Sequence, residues 1–359
     1  MDFTSFKNQF ENVPVVENDN LVTNKPLVSI CVQTYQHVDF ISECLDSILK
    51  QQTDFPFEII LGEDESTDGT GLICEGYANK FSDKIRFFSH KRKNNILIKG
   101  KPSGRFNMMY NLYSSNGKYI ALCEGDDYWV DPLKLQKQVD ALESNPCLIA
   151  CHHWQKYAIL NDSDYIEVNA PIKNQGYYPK LITSVEKIFS NDMRVKSRTI
   201  MFRNIRDQIF FPRWMNKVAF GDVPLTFLLG KHGDFGFINE PMAVYRQTGK
   251  GVSTAGLEEL GQKKFNIQHF KNWIEIWDKA DVYYNFKYHK ESNQTITGFI
   301  DIIIQNLPDS YKAYLSLLKY NNFEREISIL KTLPHSLFII KRVSPIFKRK
   351  IKKRLKSIF

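Results

Sequence analysis

The stretch Tyr119-Ile-Ala-Leu-Cys-Glu-Gly-Asp-Asp-Tyr-Trp129 constrains this chain more than any other. An apolar run follows Gly117 and stops abruptly at Glu124, Asp126 and Asp127, the pattern of a buried strand with acids at its carboxyl end. In open α/β sheets, ligands sit outside the carboxyl ends of the strands. Carboxylates placed there suit a hard divalent cation, and the cation in turn holds a phosphate. The competing reading is a loop whose acids cap the next helix. Asp131, with Pro132 at the first helical position, fits that role. The stretch therefore predicts a diphosphate–metal site, with Asp131 set apart as a cap.

Around this strand, strands and helices alternate. Residues 26–32, 57–61, 85–88 and 118–123 read as strands. Residues 38–51 carry Val38, Ile41, Leu45, Ile48 and Leu49 at helical spacing, and 72–81 and 105–115 also read as helices. This alternation predicts an α/β, Rossmann-like fold with a mostly parallel sheet and flanking helices. Each strand ends in polar residues, so the strand ends build one crevice. Past Pro146 the pattern weakens. Residues 148–154 and 198–203 read as further strands and 161–180 as a variable loop. Gly-Asp-Val-Pro-Leu (221–225) precedes an apolar helix, and 235–244 lead into Tyr-Arg-Gln-Thr-Gly-Lys-Gly-Val-Ser (245–253). From Leu257 onward the chain reads as a helical, aromatic-rich region.

The chain of 359 residues is 43% hydrophobic and 25% charged, an ordinary soluble composition. Residues 1–26 show no leader-like charge and apolar pattern. No run approaches the ~18–20 apolar residues of a membrane span. The expected location is cytoplasmic. Cys31 and Cys123 fall in predicted core strands and Cys44 on an apolar helix face, which suits a reducing compartment. Cys147, Cys151, His152 and His153 lack zinc-site spacing and read as strand packing. The net charge of +8 is carried by the tail: residues 341–359 hold nine Lys and Arg and no acid, leaving 39 basic against 40 acidic residues elsewhere. A neutral body argues against nucleic-acid binding. Within that tail, Phe347, Ile351, Leu355 and Ile358 form one apolar helical face among basic residues. Such a helix lies in the interface of an anionic bilayer, each basic residue contributing about 1 kcal/mol. The expected placement is thus peripheral, on the inner face of the membrane.

Four segments, in order, resemble family 2 of the inverting glycosyltransferases, with the GT-A fold. They are Pro26–Tyr35, Gly62-Glu-Asp-Glu-Ser-Thr-Asp-Gly-Thr70, Glu124-Gly-Asp126 with Asp127-Tyr-Trp129, and Gly221-Asp222-Val-Pro-Leu225. The resemblance implies a GT-A domain over 26–255, with a nucleotide-sugar half (26–130) and an acceptor half (131–255). Outside it lie an extension (1–25), a helical C-terminal region (256–340) and the basic tail (341–359). It also implies roles. Asp64 bonds the nucleotide base, with Gln33, Thr34 and Tyr35 lining that pocket. Glu124 faces the ribose. Asp126 ligates Mg2+ or Mn2+ on the diphosphate, helped by Asp127. Asp222 is the general base for the acceptor hydroxyl.

The implied donor is a nucleotide-diphosphate sugar, UDP-sugar favoured, and the implied acceptor is a glycan or lipid-linked glycan of a surface polysaccharide. The chemistry agrees: a cation stabilises charge on the leaving diphosphate. A placed carboxylate activates a poor nucleophile, with no covalent intermediate of the retaining kind. The chain departs from the family where Tyr245-Arg246-Gln247-Thr248 stands for a Tyr-Arg-x-His segment whose histidine lies near the metal or diphosphate. Arg246, Lys250 or Ser253 would supply compensating phosphate contacts. Trp129 and Trp214 are candidate sugar platforms, against plain packing. Arg105 and Lys91–Lys93 are candidate phosphate or base contacts, against solvated charge. The rival functions are a nucleotidyltransferase, disfavoured because Gln33-Thr-Tyr-Gln36 lacks glycine, and a nucleotide-sugar-binding protein without catalysis.

Overall fold

The computed structural model describes residues 1–23, 25–161, 164–168, 181–205, 211–248 and 257–306. The Lys250 and Ser253 contacts, the tail helix and most of the variable loop lie outside these residues.

The elements run α1 (Phe3–Phe10), β1 (Val16–Glu17), β2 (Val28–Thr34), α2 (Ile41–Leu49), β3 (Phe57–Glu63), α3 (Thr70–Lys80), β4 (Ile85–Ser89), β5 (Leu97–Ile98) and β6 (Lys101–Pro102). There follow α4 (Arg105–Ser114), β7 (Tyr119–Glu124), β8 (Tyr128–Trp129), α5 (Lys134–Ser144), β9 (Leu148–Asn161), β10 (Asp164–Val168), β11 (Ile182–Thr183) and α6 (Glu186–Phe189). Then come β12 (Met201–Arg203), α7 (Asp222–Leu229), β13 (Asp234–Gln247), α8 (Leu257–Tyr283) and α9 (His289–Asn306).

The main sheet has the order β1-β4-β3-β2-β7-β12-β9-β13-β11. Strands β4, β3, β2 and β7 are mutually parallel. Beyond β7 the sheet is mixed: β12 is antiparallel to both neighbours, while β9 and β13 are parallel. The expected strand at 198–203 begins only at Met201, because Ser197–Thr199 form a 3-10 turn. The parallel strands are apolar along nearly their whole length because helices cover both faces. Val28, Ile30 and Val32 of β2 and Ile59 and Leu61 of β3 are fully buried, beneath Ile41, Cys44, Leu45 and Ile48 of α2. Each such side chain contributes about 1.5–3 kcal/mol.

The register places Gln33 beside Gly62 on one side and Glu124 on the other. The loops that follow β2, β3 and β7 therefore leave the sheet along one edge. On α4, Asn107 and Asn111 donate from Nδ2 to the carbonyls of Gly62 (2.8 Å) and Val32 (3.0 Å), locking the helix to that end of the sheet. The approach requires glycine, since a Cβ at Gly62 would lie 2.0 Å from Asn107 Oδ1.

The N-terminal extension is part of the body. Phe6 is buried, its ring 5.3 Å from Phe106. Strand β1 pairs with β4 and covers that edge. The described chain divides into two units, one holding 1–248 with Glu275–Ser292, the other 257–274 with 293–306. The second is helical, with Asn266 Nδ2 donating to Asn306 Oδ1 at 3.1 Å. No helix among the described residues is long and apolar enough to cross a membrane.

Gly62→Ala is expected to lower stability by about 1–3 kcal/mol through overpacking against pinned asparagines. An unchanged urea midpoint would show that α4 yields freely.

Candidate active site

The loops after β2 and β3 are stitched together. Gln36 N donates to Ser66 Oγ (2.9 Å), Thr67 N to Gln36 Oε1 (2.8 Å), and His37 N to Thr70 Oγ1 (2.9 Å). Asp64 N donates to the Thr34 carbonyl at 3.2 Å. Asp64 is not the cap of α3; Asp68 does that work, accepting from Thr70 N at 3.0 Å. The Asp64 side chain is buried instead against Arg92 Nη1 (3.2 Å) and Asn95 Nδ2 (3.0 Å), both on Oδ2. Its Oδ1 is buried with no hydrogen-bond partner among the described residues. Arg92 also lies 3.9 Å over the exposed Tyr35 ring. Arg92, expected as solvated charge, is thus part of this pocket. Asn94 exchanges two bonds with Val13, N to Oδ1 at 2.8 Å and Nδ2 to O at 2.7 Å, so the N-terminal extension steadies the 92–95 turn. Gln33 is half-buried beside Glu124, and its carbonyl accepts from Gly125 N at 2.9 Å.

At the end of β7 the three acids take different partners. Glu124 Oε2 accepts from Ser197 Oγ at 2.6 Å. Asp127 is fully buried, with Oδ2 on Arg198 Nε and Oδ1 on the Arg246 backbone N–H at 3.0 Å. Both its oxygens are engaged: the carboxylate neutralises Arg198 and anchors β13. Asp126 is half-buried, with Oδ2 4.0 Å from His37 Nε2. Burial pushes the Asp126 carboxyl up to about 6, and Glu124 adds to this. Burial holds the His37 imidazole down at about 4. Gly125 has no room for a side chain, since a Cβ would lie 2.7 Å from Thr34 Oγ1 and 2.9 Å from His37 Nδ1.

These residues fit a divalent cation carried on a diphosphate. Among the described residues no three His, Cys, Asp or Glu side chains converge to hold a metal, and a cation such as Mg2+ is commonly held by one or two carboxylates together with substrate phosphates. Asp126 is the carboxylate that would hold such a cation. Arg246 is a clamp rather than a free phosphate contact: its guanidinium reaches the Asp126 carbonyl (2.7 Å) and Glu43, between Phe40 and Tyr128.

Asp222 is the first residue of α7 and half-buried, with Oδ1 accepting from Val223 N at 2.9 Å. Before it, Phe220 holds a left-handed φ of 55°, and a Cβ at Gly221 would meet Met108 Sδ at 2.4 Å. Strained backbone of this kind is characteristic of functional sites. Arg105 is not a phosphate contact. It is buried and donates to the carbonyls of Met215 and Val218 (3.2 Å), holding the segment that leads to Asp222. Trp129 is core packing, buried beneath Lys134 Nζ at 3.8 Å with Nε1 on the Arg198 carbonyl. Trp214 lies 6.0 Å from the Tyr283 ring. Ser197 and Arg198 escaped the sequence reading, as did Lys196, held down to about 8 by burial and Arg194 against the pull of Asp222. Their signal was the alternating Arg194-Val-Lys-Ser-Arg198.

Burial pushes the Asp64 carboxyl up to about 6. A carboxyl whose folded pKa is raised stabilises the fold while protonated, and that contribution fades as pH rises from about 4 through about 6. Asp64→Asn, neutral throughout, is therefore expected to gain on the wild type in thermal midpoint between about pH 4 and pH 7. A pH-independent difference would overturn this.

Residues 29–220, more than half of the chain, match the family model described as Glycosyl transferase family 2. An uncharacterised protein of Mycobacterium bovis is 29% identical over 237 residues, spanning 63% of this chain and 60% of its own length. The uncharacterised glycosyltransferase EpsJ of Bacillus subtilis is 33% identical over 132 residues, 36% of this chain and 35% of its own. Among solved structures, a mannosyltransferase from Pyrobaculum calidifontis, in complex with GDP-Man and Mn2+, superposes with a TM-score of 0.51 and 15% identity, over 93% of this chain and 89% of that one. That likeness is one of fold, and with it the expected GT-A arrangement of a sheet with flanking helices and a C-terminal helical region is borne out, the sheet being mixed where a mostly parallel one was expected. By the match over 29–220, the chain belongs to glycosyl transferase family 2.

Proposed function

We propose that this chain transfers a sugar, with inversion, from a nucleotide-diphosphate donor to a hydroxyl of a glycan or lipid-linked glycan. The observation that carries the reading is the shared edge of β2, β3 and β7. There the Tyr35–Arg92 stack and the unpartnered Asp64 Oδ1 lie on the same edge as Asp126. A buried carboxylate oxygen without a donor invites an N–H from a ligand. A uracil ring offers one at N3, as guanine does at N1, and among such donors the UDP-sugar is the one favoured here.

In this reading Asp64, Tyr35 and Arg92 hold the base, with Gln33 and Thr34 behind them. Glu124, oriented by Ser197, faces the ribose. Asp126 holds the diphosphate end through Mg2+ or Mn2+, whose charge stabilises the leaving group. Asp222, at the start of α7, takes the proton of the acceptor hydroxyl. Transfer in one displacement inverts the anomeric carbon. The basic tail at 341–359 is assigned to an anionic membrane surface, which suits a lipid-linked acceptor of surface polysaccharide synthesis and a peripheral, cytoplasmic-face location.

Calorimetric titration of UDP, dTDP and GDP, each with Mn2+ and with EDTA, tests the donor half. The expected result is selective, Mn2+-dependent binding of UDP that Asp126→Ala abolishes. No binding of any of the three would sink the donor-site assignment. For the acceptor half, Asp222→Asn is expected to lower kcat by about 10²–10⁴-fold in a donor–acceptor product screen while leaving UDP affinity unchanged. Full turnover in that variant would remove Asp222 from the chemistry.

A further inference from the structure

We propose that His37 is a ligand, through Nε2, to the divalent cation that Asp126 holds on the donor diphosphate, an inference that rests on the donor-site reading above. The ring is built into place from three sides. Its backbone N–H donates to Thr70 Oγ1 at 2.9 Å. Its Nδ1 lies 3.1 Å from Thr34 Oγ1. The third side is Gly125, whose missing Cβ is the space that Nδ1 and the Thr34 hydroxyl fill.

In the tautomer that donates Nδ1–H to Thr34 Oγ1, the lone pair is on Nε2, the nitrogen that faces Asp126. Metal-bound histidines characteristically spend their other ring N–H in this way, which sets both tautomer and orientation. The Nε2–Oδ2 separation of 4.0 Å is too long for a hydrogen bond. It suits a shared ion: two ligands, each about 2.1 Å from one cation, lie about 3 to 4.2 Å apart. His37 and Asp126 enter from adjacent strands, the former from the loop after β2 and the latter from the turn after β7. The pair thus faces one point on the crevice edge. Two protein ligands leave the remaining positions for phosphate oxygens and water.

The consequence is metal selectivity. Imidazole favours transition metals over Mg2+, which prefers oxygen donors. The site is expected to take Mn2+ in preference to Mg2+, and His37 is the residue that makes the difference.

The test is pulsed electron paramagnetic resonance of Mn2+ bound to the full chain with UDP, with histidine labelled by ¹⁵N in a second sample. The expected spectrum carries an imidazole nitrogen coupling that changes with the label and disappears in His37→Ala. In that variant Mn2+ affinity in the presence of UDP falls by about tenfold or more, Mg2+ affinity changes much less, and the thermal midpoint reports that the fold persists. Mn2+ bound with oxygen ligands alone, or a nitrogen coupling that survives in His37→Ala, overturns this inference and leaves the donor site standing. Failure of the wild type to bind Mn2+ with UDP overturns both. Should His37→Ala not fold, His37→Gln, which keeps the volume and a polar contact to Thr34, carries the same comparison.

Discussion

The buried carboxylate of Asp127 is the point on which the crevice depends. It sits at the end of β7, fully out of solvent, and accepts from the Arg198 guanidinium and the Arg246 backbone. Arg198 continues to Gln155 Oε1 at 2.7 Å and lies 4.2 Å over the Tyr245 ring. Arg246 reaches back to the Asp126 carbonyl at 2.7 Å and to Glu43 on α2. One carboxylate therefore ties together β7, the turn at 197–199, β9, β13 and the helix after β2. Removing one partner of such a pair costs about 3–5 kcal/mol, because the other charge stays buried and alone.

Asp126 and Asp127 thus divide the labour of a motif that looks uniform in sequence. Both lie past the end of β7, in the turn that Asp127 N closes onto the Glu124 carbonyl at 3.0 Å. That turn sends Asp127 to Arg198 and the core and leaves Asp126 half-buried beside His37. Identical chemistry yields a structural anchor on one side and an exposed-edge carboxylate on the other. No count of acids in the motif distinguishes them; the distinction is made by a cation that arrives from residue 198.

That long reach explains what was legible in the sequence. The strands at 28–34, 57–63, 85–89 and 119–124 were readable because their signal is local: apolar runs closed by polar residues. The crevice was readable because parallel strands must end on one edge. Arg92, Ser197 and Arg198 were not, since each acts on a carboxylate 28 to 73 residues away. Charge alone marks such residues as solvated. Arg105 was misread for the same reason: its carbonyl partners at 215 and 218 lie on a segment with no periodicity of its own. The mixed half of the sheet was also obscure. Strand β12 has three residues, too few to carry a pattern, and β9 and β13 pair with bulges that interrupt alternation.

The two sides of the crevice are therefore specified by different physics. The side that carries Asp64 and Asp126 is written into register: Gln33, Gly62 and Glu124 share one level, and the glycines at 62 and 125 let helix α4 and the 34–37 loop close upon it. Little can change there without disturbing the sheet. The side that carries Asp222 is held by side chains reaching into irregular backbone, Arg105 onto 215 and 218 and Met108 against Gly221, with the left-handed Phe220 turning the chain into Asp222. Such a segment can change sequence at its surface while its few anchors persist. A scaffold built this way fixes the end that carries Asp64 and Asp126 through the sheet itself and leaves the surface of the segment before Asp222 free to vary.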